Sequence, residues 1–184
     1  MQLKIVLTLL ILMLTYNCQA ADSNAGKTKA LSCSGCHGEN GNSKNPQFPI
    51  LAGQPQVYLI NQLMAFQSGE RKGMMMQNMA KSLSKADINN VAAFFAQSKA
   101  VSAGGNANLA AQGKDKVNMC MGCHAADLNG RSGIPKLAGQ HPAYLEKQLN
   151  AFKQGNRVGG PMQGVASSLS EEDIRAIAAY LGTL

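Results

Sequence analysis

The strongest constraint on this chain is a pentapeptide that occurs twice: Cys33-Ser34-Gly35-Cys36-His37 and Cys120-Met121-Gly122-Cys123-His124. Cys-x-x-Cys-His is the attachment signature of c-type haem. Two cysteines three apart lie on one side of a helical turn, so both thiols reach the two vinyl groups of one haem. The adjacent histidine then stands under the iron as its proximal ligand. The pattern therefore predicts two covalently held haem c groups, bonded to Cys33 and Cys36 and to Cys120 and Cys123, with His37 and His124 on the irons. Haem-free readings fit poorly. Paired Cys-x-x-Cys in a zinc ribbon is separated by about 15–20 residues, far less than the interval from Cys36 to Cys120. A thioredoxin-like motif needs a βαβ frame, and no period-2 strand is evident.

The motifs sit in a longer repeat. Cys33 to Cys120 is an offset of 87 residues; beyond the motifs the offset drops to 86 (Gln54 to Gln140), so the second copy has lost one residue. Leu51-Ala52-Gly53-Gln54 matches Leu137-Ala138-Gly139-Gln140, and Tyr58 and Gln62-Leu63 match Tyr144 and Gln148-Leu149. Ala65-Phe66, Arg71 and Met76-Gln77 match Ala151-Phe152, Arg157 and Met162-Gln163. Leu83-Ser84 and Asp87-Ile88 match Leu169-Ser170 and Asp173-Ile174. The reading is an all-α chain with two tandem domains of one fold, 21–97 and 109–184, joined by a Gly- and Ser-containing linker over 98–108.

Three helices are expected per copy. The first runs over about 24–36 and about 108–123, with the haem motif at its end. The second begins near Gln54-Pro55, with proline suited to the first turn, and ends at Gly69 or Gly155. Tyr58, Leu59, Leu63 and Phe66 give it an apolar face at helical spacing. The third opens at Ser84 and Ser170, each with Asp three residues on, a capping-box pattern. Domains of about 80 residues draw only a small margin from a protein core, and this chain has 5% aromatics and no tryptophan. A large flat haem at the centre of each domain supplies what the side chains do not.

The start of the chain reads as a secretory leader over 1–20: Lys4, an apolar run from Ile5 to Leu14, then small residues before a cleavage point after Ala20. The run is shorter than the roughly 20 residues a spanning helix needs. Export places the protein in the periplasm and removes Cys18, leaving only the four motif cysteines. The formal charge of +7 becomes +6 without Lys4. A mild basic excess of this kind favours an acidic redox partner or peripheral contact with an anionic membrane. No basic cluster is interleaved with aromatics, so nucleic acid is not expected as a partner.

The sixth iron ligands are chosen by the repeat. The one histidine outside the motifs, His141, has Pro55 as its counterpart, so a symmetric bis-histidine site is unavailable. The first copy offers Met74, Met75, Met76 and Met79; the second has only Met162 in this stretch, and it aligns with Met76. Met76 and Met162 are therefore the expected ligands, with Met74 and Met75 as the alternatives to Met76. The carbonyls of Pro49 and Pro135 are candidates to accept from the ligating histidines. Arg71, Arg157, Tyr58 and Tyr144 are candidates either for haem propionates or for plain packing.

Together these residues resemble the dihaem cytochrome c4 family of class I c-type cytochromes, over nearly the whole chain after the leader. The resemblance implies two cytochrome c-like domains related by approximate two-fold symmetry, with haem propionates near their interface. It also implies His/Met axial pairs, here His37/Met76 and His124/Met162. The implied role is a periplasmic one-electron carrier in a respiratory chain, often at the membrane face, without a small-molecule substrate of its own. Its redox partners would be a terminal oxidase, a reductase or a membrane cytochrome complex. The alternatives are the electron-accepting subunit of a dehydrogenase, such as one oxidising sulfide through a flavoprotein, and a dihaem peroxidase, which would need one of the two methionines to leave its iron.

Overall fold

The computed structural model describes residues 20–184; the leader expected over 1–20 lies outside the described residues apart from Ala20. Nine helices are present among these residues, and the sole β-type pairing is a single bridge between Arg131 and Ile134. The first copy comprises α1 (Ser23–His37), α2 (Gln56–Ser68), α3 (Met74–Lys81) and α4 (Lys85–Gln97), with a short 3-10 turn at Glu39–Gly41. The second comprises α5 (Ala107–Gly113), α6 (Asn118–His124), α7 (Pro142–Lys153), α8 (Pro161–Ser167) and α9 (Glu171–Thr183).

Local sequence explains most of the helix boundaries. Asp22 caps α1 by accepting from the amides of Asn24 and Ala25 at 2.8 and 3.1 Å. Ser84 and Asp87 form a reciprocal capping box on α4, as Ser170 and Asp173 do on α9, satisfying amides that a helix start leaves unpaired. Gly69 ends α2 in the left-handed conformation at φ 82°, where glycine carries no Cβ penalty. Pro55 stands one position ahead of the expected first turn and caps α2, while Pro142 occupies the first turn of α7.

Two expectations are corrected. Each copy has a further short helix, α3 or α8, between its second and capping-box helices. The run Met74-Met75-Met76 shows no polar and apolar alternation to announce a helix, yet the helix begins where Gly73 or Gly160 breaks the chain. The expected helix over 108–123 is also two helices. At 114–117 the backbone tightens into i→i−3 bonds, Lys116 to Gly113, Asn118 to Asp115 and Cys120 to Val117. Val117, fully buried where the first copy has Ala30, puts a bulkier β-branched side chain at this constriction.

The helix that leads to the haem motif crosses the capping-box helix at a glycine in both copies. A Cβ on Gly26 would stand 2.0 Å from the carbonyl oxygen of Asn90, and one on Gly113 would stand 2.1 Å from that of Ala176. Asn90 and Ala176 are themselves equivalent in the repeat. Hydrophobic packing then joins α2 to α4 through Leu59, Val91 and Phe95, and α7 to α9 through Leu145, Ile177 and Leu181. Helices α3 and α8 pack on α2 and α7. Among the described residues the methionine-bearing helices α3 and α8 thus connect to the capping-box helices by way of α2 and α7.

Residues 98–106 have no helix but are tied to both copies. Asn42 donates to the Lys99 carbonyl and accepts from the Val101 amide at 2.9 and 2.8 Å, and Ala103 donates to the Gly139 carbonyl. Overpacking a helix crossing costs about 1–3 kcal/mol. Gly26→Ala and Gly113→Ala are each expected to destabilise by at least that amount in denaturant unfolding of the haem-loaded protein.

Candidate haem sites and the domain junction

The two pentapeptides close α1 and α6, so each Cys-x-x-Cys pair occupies the last helical turn and each histidine the final residue. All four thiols are free of disulfides. Burial raises the pKa of the Cys33 and Cys120 thiols, keeping them protonated.

His37 and His124 are buried, 6% and 5% exposed. Their Nδ1 atoms lie 3.0 Å from the Pro49 carbonyl oxygen and 2.8 Å from that of Pro135. A carbonyl only accepts, so each Nδ1 carries the proton and each Nε2 presents its lone pair. Burial pushes both imidazoles below their ordinary pKa, against the weaker opposing effect of the prolyl carbonyls. The result is a neutral ring, fixed in tautomer and orientation, with Nε2 unpartnered among the described residues. That is the state an iron ligand requires.

The loop between histidine and proline also locates the lost residue. The amides of Leu51 and Ala52 donate to Gly41, and those of Leu137 and Ala138 donate to Leu128. Gly41 and Leu128 are equivalent at the earlier offset, and Leu51 and Leu137 at the later one. The deletion therefore falls between these anchors and leaves the histidine–proline bond intact.

The four methionines of the first copy differ in exposure. Met74, Met75 and Met79 are 81%, 58% and 39% exposed, whereas Met76 is half-buried, as Met162 is in α8. Among the described residues no group of three or more His, Cys, Asp and Glu side chains could hold a metal by itself. One histidine and one thioether per copy suit an iron whose remaining donors come from a macrocycle. The thiols, the neutral imidazoles and the methionines therefore fit haem c.

His141, excluded above as a symmetric ligand, caps α7 and donates from Nε2 to the Ser43 carbonyl at 2.9 Å, across the two copies. It belongs to a junction that reading the chain one copy at a time could not reveal. Gln140 accepts from the Ile50 amide at 2.8 Å and donates to the Ile50 carbonyl at 2.9 Å. Gln54 does the same with Lys136, at 3.1 and 2.8 Å. Ile50 and Lys136 are equivalent, so this is a reciprocal, two-fold clamp. Arg71 and Arg157, each over its own phenylalanine ring at 4.6 Å, also reach across. Arg71 donates to Gln62, Tyr144 and Gln148, and Arg157 donates to Gln148, Tyr58 and Gln62. The repetition of glutamine, tyrosine and arginine at matched positions was the available signal for this contact.

This architecture, with a histidine-bearing helix end, a short methionine helix and a capping-box helix repeated in tandem, defines a two-domain c-type cytochrome. The cytochrome c family model matches residues 23–99 and again 110–184. Cytochrome c4 of Pseudomonas aeruginosa is 38% identical over 177 residues, covering 88% of each chain. The crystal structure of reduced recombinant cytochrome c4 from Pseudomonas stutzeri superposes with a TM-score of 0.84 at 39% identity, over 90% of this chain and all of that one. A thiosulfate dehydrogenase electron acceptor of Thiomonas intermedia is 33% identical over 175 residues, covering 85% of this chain and 80% of that one. The chain belongs to the cytochrome c4 family of dihaem electron-transfer proteins, and its cofactors are two haem c groups.

Gln140 satisfies both backbone groups of Ile50 in a buried setting, where an unpaired group costs about 1–3 kcal/mol. Gln140→Leu is expected to weaken domain docking by at least that much. The check is faster hydrogen exchange at the Ile50 amide while exchange within α1 and α4 stays unchanged.

Proposed function

We propose that the mature protein, starting at residue 21, is a periplasmic one-electron carrier that passes electrons to a terminal oxidase, a reductase or a membrane cytochrome complex. Its first domain spans 21–97, its linker 98–108 and its second domain 109–184. Cys33 and Cys36 bond one haem and Cys120 and Cys123 the other; His37 with Met76, and His124 with Met162, are the axial pairs. When bound, each haem supplies a reversible ferric/ferrous couple.

The observation that carries this reading is the matched pair of neutral, carbonyl-held histidines, each in a domain with a half-buried methionine at the repeat-equivalent position. A thioether is neutral and soft and favours the ferrous state, raising the potential. With His37 and Met76, or His124 and Met162, both holding the iron, no position would be left for oxygen or peroxide, and the side chains would hold each site to electron transfer. The same feature counts against a peroxidase. The formal charge of +6 that remains when Lys4 is taken from the +7 of the full sequence supports acidic partners and contact with an anionic membrane.

A second reading has its own support. Relatives named as thiosulfate dehydrogenase electron acceptors, and the Marichromatium purpuratum thiosulfate dehydrogenase structure, favour a subunit that accepts electrons from a dehydrogenase. That structure has a TM-score of 0.80 at 30% identity, over 87% of this chain and 40% of that one. Stable co-purification with a catalytic subunit distinguishes it from the free carrier. A free carrier, once reduced, is expected to be reoxidised rapidly by respiring membranes and slowly by dissolved oxygen; rapid reaction with oxygen alone would contradict sealed irons.

Met76→Leu and Met162→Leu are each expected to turn one haem high-spin and open to carbon monoxide. Its potential should fall by on the order of 0.1–0.3 V, within the roughly 0.8 V range that axial ligands command. Met74→Leu and Met75→Leu should leave the spectrum unchanged.

A further inference from the structure

The two loops that run from a ligating histidine to the proline holding it are tied down in different ways. In the second copy the ties come from within the domain. Arg131 donates to the carbonyls of Gly122 and Cys123, Asn129 bonds Asp127 and Lys136, and the Gly130 amide donates to the His124 carbonyl at 2.9 Å. At the earlier offset of 87, Asn42, Ser43 and Lys44 are the counterparts of Asn129, Gly130 and Arg131. In the first copy the ties lead outward. Asn42 bonds the linker at Lys99 and Val101, and the Ser43 carbonyl accepts from His141 of the second domain at 2.9 Å.

The tie from His141 reaches the first haem motif in short steps. His141 and Ser43 are both 7% exposed. The Ser43 hydroxyl lies 3.2 Å from the carbonyl oxygen of Cys36 and 3.0 Å from that of Asn45, and it accepts from the Asn45 amide at 3.1 Å. Cys36 directly precedes His37. The neighbouring Gln140 holds both backbone groups of Ile50, the residue after Pro49, whose carbonyl accepts from His37. Two consecutive residues of the second domain thus grip both ends of the first loop. Gln54 returns one of these grips through Lys136. The other is not returned: Pro55 stands where the second copy has His141, and proline has neither a side-chain donor nor an N–H. Each link in this path is a formed hydrogen bond between groups of the chain itself.

We infer that His141 is a positioning residue for the first haem site, through which the second domain sets how closely the loop over 38–49 covers His37. The role rests on His37 and Met76 holding the iron of that domain. Solvent access and dielectric around a metal site set its redox potential. A loop held shut excludes water and so disfavours the more highly charged ferric state. Losing this one bond therefore lowers the first potential and leaves the second where it is.

The test is spectroelectrochemical titration of the full haem-loaded protein, with each potential assigned by the variant, Met76→Leu or Met162→Leu, that alters it. In His141→Leu the ferrous-to-ferric ratio of the first haem at a fixed applied potential should fall by about three- to tenfold, with the second haem unchanged. Exchange of the His37 Nδ1–H should quicken by about tenfold, with that of His124 unchanged. His141→Gln places an amide nitrogen as many bonds from the backbone as Nε2 and should restore most of the wild-type potential. Ser43→Ala breaks the same path one bond nearer the iron. It should lower the same potential, and it decides the matter where His141→Leu fails to load haem. Unmoved potentials in His141→Leu and Ser43→Ala, or equal shifts of both haems, would overturn the role of His141 while two haems closed to carbon monoxide left the His/Met pairs standing. A wild-type first haem open to carbon monoxide would instead remove the axial pair, and the role with it.

Discussion

The structure depends on a short hydrogen bond, from the Nδ1–H of a histidine at a helix end to the carbonyl of a proline eleven or twelve residues later. It fixes which ring nitrogen is free and where that nitrogen points. The helix carrying the histidine is in turn held against its partner by a glycine that allows near backbone contact. Both copies keep the bond although one residue has been lost from the loop between its ends. The length change was absorbed downstream of Gly41 and Leu128, where the register of the site is unaffected.

Duplication gives a chain of this size a second device. Each domain alone has a modest core, and the haem does the work that a larger apolar core would do elsewhere. The two domains then meet through polar groups that repeat at matched positions: glutamines 54 and 140 clamp backbone, and arginines 71 and 157 cross to glutamines and tyrosines. Such reciprocity is the signature of an isologous contact, in which residue i of one unit meets residue j of the other and the reverse also holds. A fixed junction matters to a dihaem protein because it fixes the separation between the two redox centres.

What was legible in the sequence follows the range of the interactions. The haem motifs, the capping boxes at Ser84 and Ser170 and the apolar stripe of α2 are local patterns. The prolyl carbonyls were legible because the repeat put a proline at nearly the same distance after both histidines. Helices α3 and α8 were missed because seven or eight residues around a methionine run carry no period. The break at 114–117 depends on how Val117 fits a core that only the folded domain defines. The roles of Arg71, Arg157, Tyr58 and Tyr144 were open because their partners lie in the other copy, and His141 became intelligible only once it faced Ser43.

The central claim is that each domain holds one haem between a neutral histidine and a methionine, leaving nothing for the protein to do but pass electrons. A spectroscopic redox titration of the mature haem-loaded protein, with and without carbon monoxide, tests it most directly. Two low-spin haems, both at positive potential and neither binding carbon monoxide, is the result the account predicts. One haem at strongly negative potential, or one that binds carbon monoxide readily, would contradict the paired ligation and turn attention to chemistry at an open iron.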